Sequence, residues 1–370
     1  MALKINKTCR KCSLLLLFML IFHNGFAQDF SPLDNWLNDN IKSLGGRAVL
    51  VLLKDDKIVY ENSVTELNGK QKIVNKLVAR KKGQPVKLAN DDFDMNTKMP
   101  IASCSKWLTA ALTMTFVDEG KLDINDSIGT YLPIMPLHGK GHITVWQCLS
   151  HLTGIESGEL KEGIQEITKC TTMEESIEKI ASHPMEGTPG NTFRYSNVGL
   201  QIIAAIIEKI SGKSFEEAFQ ERIAIPCEMV NTDFGKAKVP LAAGGARSTP
   251  KDYINFLNML LHDGVYNNKQ VLSQSAIAAM QENRINSSTV IKYSPAEITN
   301  WGYGFGEWVF DFNGKTISSP GLFGSYPWID NNRKYAGFLF TVNLKHKDRH
   351  KKFVALKQLA DSVLFNAAEN

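Results

Sequence analysis

The chain has 370 residues, of which 43% are hydrophobic and 22% charged, and a formal net charge of +4. This balance excludes a disordered or fibrous chain and leaves enough apolar content for a large buried core. It also gives no reason to expect a nucleic-acid partner: Lys4, Lys7, Arg10 and Lys11 at the N-terminus account for the whole net charge, and the remainder is balanced. Those four residues precede an apolar stretch over 14–22 and the small residues Gly25 and Ala27, which predicts a cleavable signal peptide over residues 1–27. The apolar run is shorter than the ~20 residues that a spanning helix requires. Export to the periplasm or out of the cell is therefore expected, with no stable membrane anchor after cleavage, and residues 28–370 form the folded part.

A helix is predicted over 32–44, where Leu33, Trp36, Leu37 and Ile41 recur at helical spacing before Gly45-Gly46. A hairpin follows, with strands at 48–53 and 57–61 around the polar turn Lys54-Asp55-Asp56. Residues 69–87 carry Lys70, Lys72, Lys76, Arg80, Lys81 and Lys82 with little apolar periodicity, and read as a solvated loop in preference to a binding patch. Helices are predicted from Ser103 to about residue 117 and over 145–152, 200–210, 215–223 and 250–261. The 200–210 stretch is apolar on nearly all sides and hence expected to be buried. Beyond residue 300 the runs 304–310, 315–318, 322–329 and 336–344 are short, apolar and aromatic, as consecutive antiparallel strands are. The basic run 345–352 is expected to cap, in solvent, a last helix over 352–365. Strands at both ends and helices between them predict an α/β (α+β) fold: one antiparallel sheet flanked by helices, with a helical region at about 120–300.

Cys104, Cys148, Cys170 and Cys227 match no zinc spacing and are expected to be buried free thiols. His138, His142 and His151 lack carboxylates at ligand spacing, so neither a metal nor another cofactor is expected, and His151 is assigned a structural hydrogen bond. Trp301, Tyr303, Tyr326 and Trp328 fit either a substrate cleft or the core.

Chemistry is concentrated in Ser103-Cys104-Ser105-Lys106. At the start of a helix, Ser103 and Lys106 at i and i+3 share a face. A serine hydroxyl needs a partner to take its proton, and burial makes a lysine amine such a partner by lowering its pKa. The helix N-terminus adds backbone N–H groups suited to an oxyanion. Taken alone, the pattern also fits an N-capping serine with a snorkelling lysine. Ser105 is a second hydroxyl, without the matching lysine. Tyr195-Ser196-Asn197 precedes the buried helix: a tyrosine here can relay a proton and an asparagine amide can hold a substrate carbonyl or orient Lys106, although a simple turn before a helix has the same form.

S-x-x-K followed about ninety residues later by Y-x-N resembles the class C β-lactamase and penicillin-binding serine hydrolase superfamily. ITVWQCLSHLTGI (143–155), YSNVGLQIIAAIIEKISGKSF (195–215) and AAGGARSTPKDYINFLNMLL (242–261) are similar to further segments of that superfamily. The resemblance implies a serine β-lactamase/D,D-peptidase-like fold. It makes Ser103 the acylated nucleophile, has Lys106 and Tyr195 share acid and base work, and gives Asn197 the substrate. It also implies a third motif, usually K-T-G or H-x-G, whose strand supplies the second oxyanion N–H. Here Ser319-Pro320-Gly321 is the best candidate for that place, with an ordinary edge strand as the alternative: Gly321 would keep the small residue, Leu322 would supply the N–H, and Ser319 would replace the cation or imidazole. The implied activity is hydrolysis of a small ester, amide or D-amino-acid peptide through an acyl-enzyme. The alternatives are a true class C-like β-lactamase and a catalytically weak penicillin- or peptidoglycan-binding protein.

Overall fold

Strands from the two ends of the chain pair within one seven-stranded antiparallel sheet. The computed structural model describes residues 28–81, 93–158, 160–295, 301–311, 315–343 and 348–365; the signal peptide expected over residues 1–27 lies outside them. Helix α1 (Ser31–Asn40) leads into β1 (Arg47–Lys54) and β2 (Lys57–Thr65). The last five strands are β9 (Gly302–Tyr303), β10 (Trp308–Asp311), β11 (Lys315–Ser318), β12 (Tyr326–Asp330) and β13 (Tyr335–Thr341). The spatial order is β2-β1-β13-β12-β11-β10-β9, and the register sets Ala48 against Thr341 and Lys54 against Tyr335.

β1 is apolar at every position from Ala48 to Leu53 because both faces of the sheet are covered. Val49, Val51 and Leu53 face a core shared with α3 (Ser105–Asp118) and α10 (Pro250–Leu261). Ala48, Leu50 and Leu52 face the opposite layer, built from α1 and the C-terminal helix α12 (Arg349–Phe365). Asp55 and Asp56 close the β1–β2 hairpin with φ of 51° and 61°, the left-handed pair a two-residue turn needs to match strand twist. Tyr326 and Trp328 lie in the outer layer under α12 and are core residues. Tyr303 joins Phe193, Tyr195 and Trp308 in an aromatic cluster at the other edge of the sheet, and Trp301 packs against that cluster from the side.

Between β3 (Met99–Pro100) and β9 the chain is mainly helical. Its principal elements are α4 (Ile134–Leu137), α5 (Val145–Leu149), α6 (Leu160–Thr168), α7 (Met173–Ser182), α8 (Val198–Ser211), α9 (Phe215–Phe219) and α11 (Gln274–Met280). α8 is buried from Val198 to Ile207 and ends at Gly212 with φ 66°, a left-handed C-cap. Gly199 lets it approach α5: a Cβ there would lie 2.1 Å from the Cys148 carbonyl oxygen. Cys104, Cys148, Cys170 and Cys227 are buried and free.

Several expectations are corrected. Residues 69–81 form a helix, α2 (Gly69–Lys81), and not a loop. Asn68 Oδ1 accepts the Gln71 N–H and Gln71 Oε1 accepts the Asn68 N–H, a reciprocal N-terminal cap, and the segment beyond is rich in strong helix formers. The helix expected over 145–152 stops at Leu149, and His151 takes φ 60°. The strand expected over 322–329 begins only at Tyr326, because residues 321–324 form a turn closed by the Gly324 N–H on the Gly321 carbonyl. The strand expected over 304–310 begins only at Trp308, because residues 304–307 turn the chain between β9 and β10, with the Gly304 N–H on the Glu307 carbonyl. The last helix starts at Arg349, which is buried, so this member of the basic run does not lie in solvent.

Candidate active site

The residues around Ser103 are held by backbone contacts from three directions. Ser103 sits in a single 3₁₀ turn, Ala102–Cys104, ahead of α3, so the α-helix itself begins two residues later than Ser103. Ala102 has φ 48°, a strained conformation for a residue with a Cβ. Ser105 compensates for it. Its hydroxyl donates to the Ala102 carbonyl at 2.6 Å and accepts the Ala246 N–H at 3.0 Å. The second hydroxyl of the motif is thus committed to the backbone.

The glycine-rich segment over residues 242–248 runs beside this turn. The Ile101 N–H donates to the Ala246 carbonyl, Thr109 Oγ1 to the Ala242 carbonyl, and Lys106 Nζ to the Ala243 carbonyl at 2.8 Å. Lys106 is fully buried and reaches Ser103 Oγ at 3.2 Å and Asn197 Oδ1 at 3.4 Å. Burial pushes its amine down to about 7, with the neighbouring Cys104 a smaller opposing influence. A neutral amine has two N–H donors and one lone pair. With the Ala243 carbonyl and Asn197 Oδ1 taking the donors, the lone pair is left for Ser103.

Tyr195 enters from the helical region. Its backbone follows β4 (Thr192–Arg194), which pairs with β8 (Val290–Tyr293), and its N–H donates to the Tyr293 carbonyl at 3.0 Å. The ring centroid lies 4.8 Å from Lys106 Nζ. Burial pushes the phenol well up, opposed by a side-chain hydrogen bond with Ser103. His151 stands behind it, with ring centroids 4.7 Å apart. The His151 Nδ1 accepts the Ser196 N–H at 3.5 Å, which leaves Nε2–H to donate to the Tyr303 hydroxyl at 3.0 Å. Burial, and then the Lys106 charge, hold this imidazole well below its ordinary pKa. The structural role expected of His151 is what the geometry shows. Asn197 occupies the N-cap position of α8 without a side-chain cap, and its Nδ2 is buried with no hydrogen-bond partner among the described residues, a costly state for a buried donor and one that a carbonyl acceptor relieves.

β11 brings the third segment to the nucleophile turn. Ser319 is buried, and its hydroxyl donates to the Ser103 carbonyl at 3.2 Å and to the Gly306 carbonyl at 2.8 Å. One proton is shared between two backbone acceptors, so this side chain fastens the strand to the turn. Gly321 packs against the same turn: a Cβ would lie 2.4 Å from the Ile101 oxygen. Its N–H donates to the Ser325 carbonyl at 2.8 Å, and the Leu322 carbonyl accepts from Arg349 Nη1 at 2.8 Å.

The structure therefore gathers Ser103, Lys106, Tyr195, Asn197 and Ser319 at one junction of sheet and helical region, with Gly321 and Leu322 at its edge. His138 and His142 take no part in these contacts. Sequence reasoning missed Arg349, Ala243 and the bracing role of Ser105. The first two act on or through backbone carbonyls, which leave no side-chain pattern to read. The third was visible only as a rival hydroxyl.

An antiparallel sheet joined to a helical region, with a serine, a buried amine and a buried phenol at their junction, defines a serine hydrolase of the β-lactamase and penicillin-binding fold. The chain belongs to the Beta-lactamase family, whose profile matches residues 37–361. Among solved structures it is similar to a putative beta-lactamase from Bacteroides dorei, with 26% identity, a TM-score of 0.73, and coverage of 91% of this chain and 99% of that one. An uncharacterized protein of Mycobacterium tuberculosis is 25% identical over 290 residues, 63% of this chain and 72% of that protein. A putative D-alanyl-D-alanine carboxypeptidase of Salmonella agona is 25% identical over 221 residues, 56% of this chain and 48% of the relative.

Proposed function

We propose that the protein is an exported serine hydrolase that forms an acyl-enzyme on Ser103 and acts on a small ester, amide or D-amino-acid peptide in the periplasm or outside the cell. The observation that carries this reading is the 3.2 Å contact between Ser103 Oγ and a buried Lys106 amine whose pKa is brought to about 7. Such an amine is a competent general base near neutral pH. In the proposed reaction Ser103 Oγ bonds to the carbonyl carbon while its proton passes to Lys106. The negative charge on the carbonyl oxygen is met by the N–H groups of Ser103 and Leu322. Tyr195 gives its phenol proton to the leaving group as the bond to it breaks, and the proton held by Lys106 passes to Tyr195, so that both groups regain their starting states. Water then attacks the acyl-enzyme, releasing the acid and restoring the Ser103 hydroxyl. Asn197 Nδ2 binds the acyl-side carbonyl.

The substrate class is argued from the third segment. A lysine at the position of Ser319 would meet a substrate carboxylate, whereas the Ser319 hydroxyl is occupied by two backbone carbonyls. Uncharged esters and amides therefore fit the site better than anionic β-lactams. The Salmonella relative's name supports peptides of the D-amino-acid type as a second group.

Labelling with a fluorescent fluorophosphonate and with a fluorescent penicillin, each on wild type and Ser103→Ala, tests the proposal. Fluorophosphonate labelling that disappears in Ser103→Ala is expected, together with turnover of simple aryl esters. Equal labelling of the two proteins would remove Ser103 as the nucleophile. Slow-releasing penicillin adducts without ester turnover would point to a binding protein, and fast nitrocefin hydrolysis to a β-lactamase.

A further inference from the structure

Ile73, Val74 and Leu77 on α2 are 60%, 56% and 59% exposed. At i, i+1 and i+4 they share one face of the helix. Single exposed aliphatic residues are ordinary, but three grouped on one turn mark a surface that something covers. Lys70, Lys72 and Lys76 are exposed on the same helix. The sequence continues with Arg80, Lys81 and Lys82, and no Asp or Glu occurs anywhere from residue 67 to 90. The helix is fixed at its start, where Gln71 Nε2 donates to the Gly45 carbonyl at 2.8 Å beside the edge of the sheet.

We propose that α2 is an interfacial helix that docks the protein on an anionic phospholipid bilayer, with Ile73, Val74 and Leu77 entering the acyl boundary and the lysines meeting lipid phosphates. An apolar stripe flanked by cations, on a helix with no acidic residue, is the pattern that such surfaces attract. A nucleic acid would use the lysines and leave the aliphatic stripe in water. A protein interface of this size is expected to carry aromatic or arginine anchors at its centre, and among the described side chains of α2 the centre of the stripe holds Ile73, Val74 and Leu77 beside lysines. The proposal concerns lying on a membrane and not crossing one: among the described residues no helix is long and apolar enough to span. It is independent of the chemistry assigned to Ser103.

The test is cosedimentation of the chain from Gln28 onward, where the described fold begins, with vesicles of phosphatidylglycerol mixed into phosphatidylcholine and with vesicles of phosphatidylcholine alone. Binding to the mixed vesicles is expected, weakened roughly tenfold or more on the neutral ones and at high salt. The triple variants Ile73→Ser/Val74→Ser/Leu77→Ser and Lys70→Glu/Lys72→Glu/Lys76→Glu are each expected to lose about tenfold or more of the binding, with fluorophosphonate labelling kept as a check of the fold. No binding of wild type to the mixed vesicles would overturn the proposal. So would a serine triple variant that binds as well as wild type, or equally tight binding to double-stranded DNA that the serine substitutions leave unchanged.

Discussion

Arg349, at the first turn of the C-terminal helix, donates through Nη1 to the carbonyl of Leu322 at 2.8 Å and through Nη2 to the carbonyl of Asn343 at 2.9 Å. The Leu322–Phe323 peptide, adjacent to the one that carries the Leu322 N–H, is thereby tied to an element on the opposite face of the sheet. If Leu322 N–H is the second oxyanion donor, its direction depends on this contact. Arg349→Met is expected to slow acylation by about tenfold, less than the ~10²–10³ typical of losing an oxyanion donor outright, because the turn keeps its Gly321–Ser325 and Gly324–Gly321 hydrogen bonds. The pH dependence of labelling should be unchanged, which separates a positioning effect from one on Lys106. Stopped-time fluorophosphonate labelling across a pH series measures both.

The state of Lys106 fixes the sign of the pH profile. The base form is the neutral amine, so acylation should rise with pH up to about 7 and then level. The folded pKa lies below the usual lysine value of 10.5. Between about 7 and 10.5 the unfolded chain therefore holds a proton that the folded one has released, and the contribution of this group to stability grows as pH increases through that window. Lys106→Met removes both effects. It should be inactive, yet ~1–2 kcal/mol more stable than wild type at neutral pH, with the advantage shrinking toward pH 10. Urea unfolding at several pH values reads this directly, and a variant less stable than wild type at pH 7 would contradict it.

Ser105 and Ser103 stand two positions apart and are expected to fail in different ways. Ser105→Ala loses the contacts that hold Ala102 at positive φ and leaves the Ala246 N–H without its acceptor. A loss of about 1–3 kcal/mol follows, seen as a lower melting temperature with labelling retained. Ser103→Ala should keep its melting temperature and lose labelling.

The outer layer carries its own charged knot. Lys357 on α12 is buried and donates to Asp330 on β12 and to Asp361 Oδ2 at 2.8 Å, while the Tyr335 hydroxyl donates to Asp361 Oδ1 at 2.6 Å. Removing one member leaves a buried carboxylate uncompensated, which costs about 3–5 kcal/mol. Lys357→Met should therefore unfold at markedly lower denaturant, and Lys357→Met/Asp330→Asn should recover part of the loss. Equal stability of the single and double variants would mean that Arg333, 3.5 Å from Asp330, already compensates it.

What could be read from the sequence follows a physical division. Ser103, Lys106, Tyr195 and Asn197 announced themselves because their chemistry is in their side chains and their spacing is local to helix starts. β1 and α8 were legible because burial on every side writes an uninterrupted apolar run. The third segment was legible in content and wrong in form. Gly321 and Gly324 turn the chain before β12, so Leu322 sits in a turn where an apolar residue suggested a strand. Arg349 was assigned to solvent because it lies among lysines and histidines, and nothing in its neighbours signals a carbonyl from another layer. α2 is hidden in the same way: its run of lysines reads as a solvated loop, although good helix formers and a cap made by Asn68 and Gln71 underlie it.

The seam between β1 and β13 has a consequence for how the protein folds. Ala48 pairs with Thr341 across almost the whole folded chain, so the sheet closes only through a contact of high sequence separation, the kind whose loop-closure cost slows folding. A polypeptide that stops short of Tyr335 lacks the partner that shields one edge of its first strand, and an uncovered edge of that kind invites pairing with another chain.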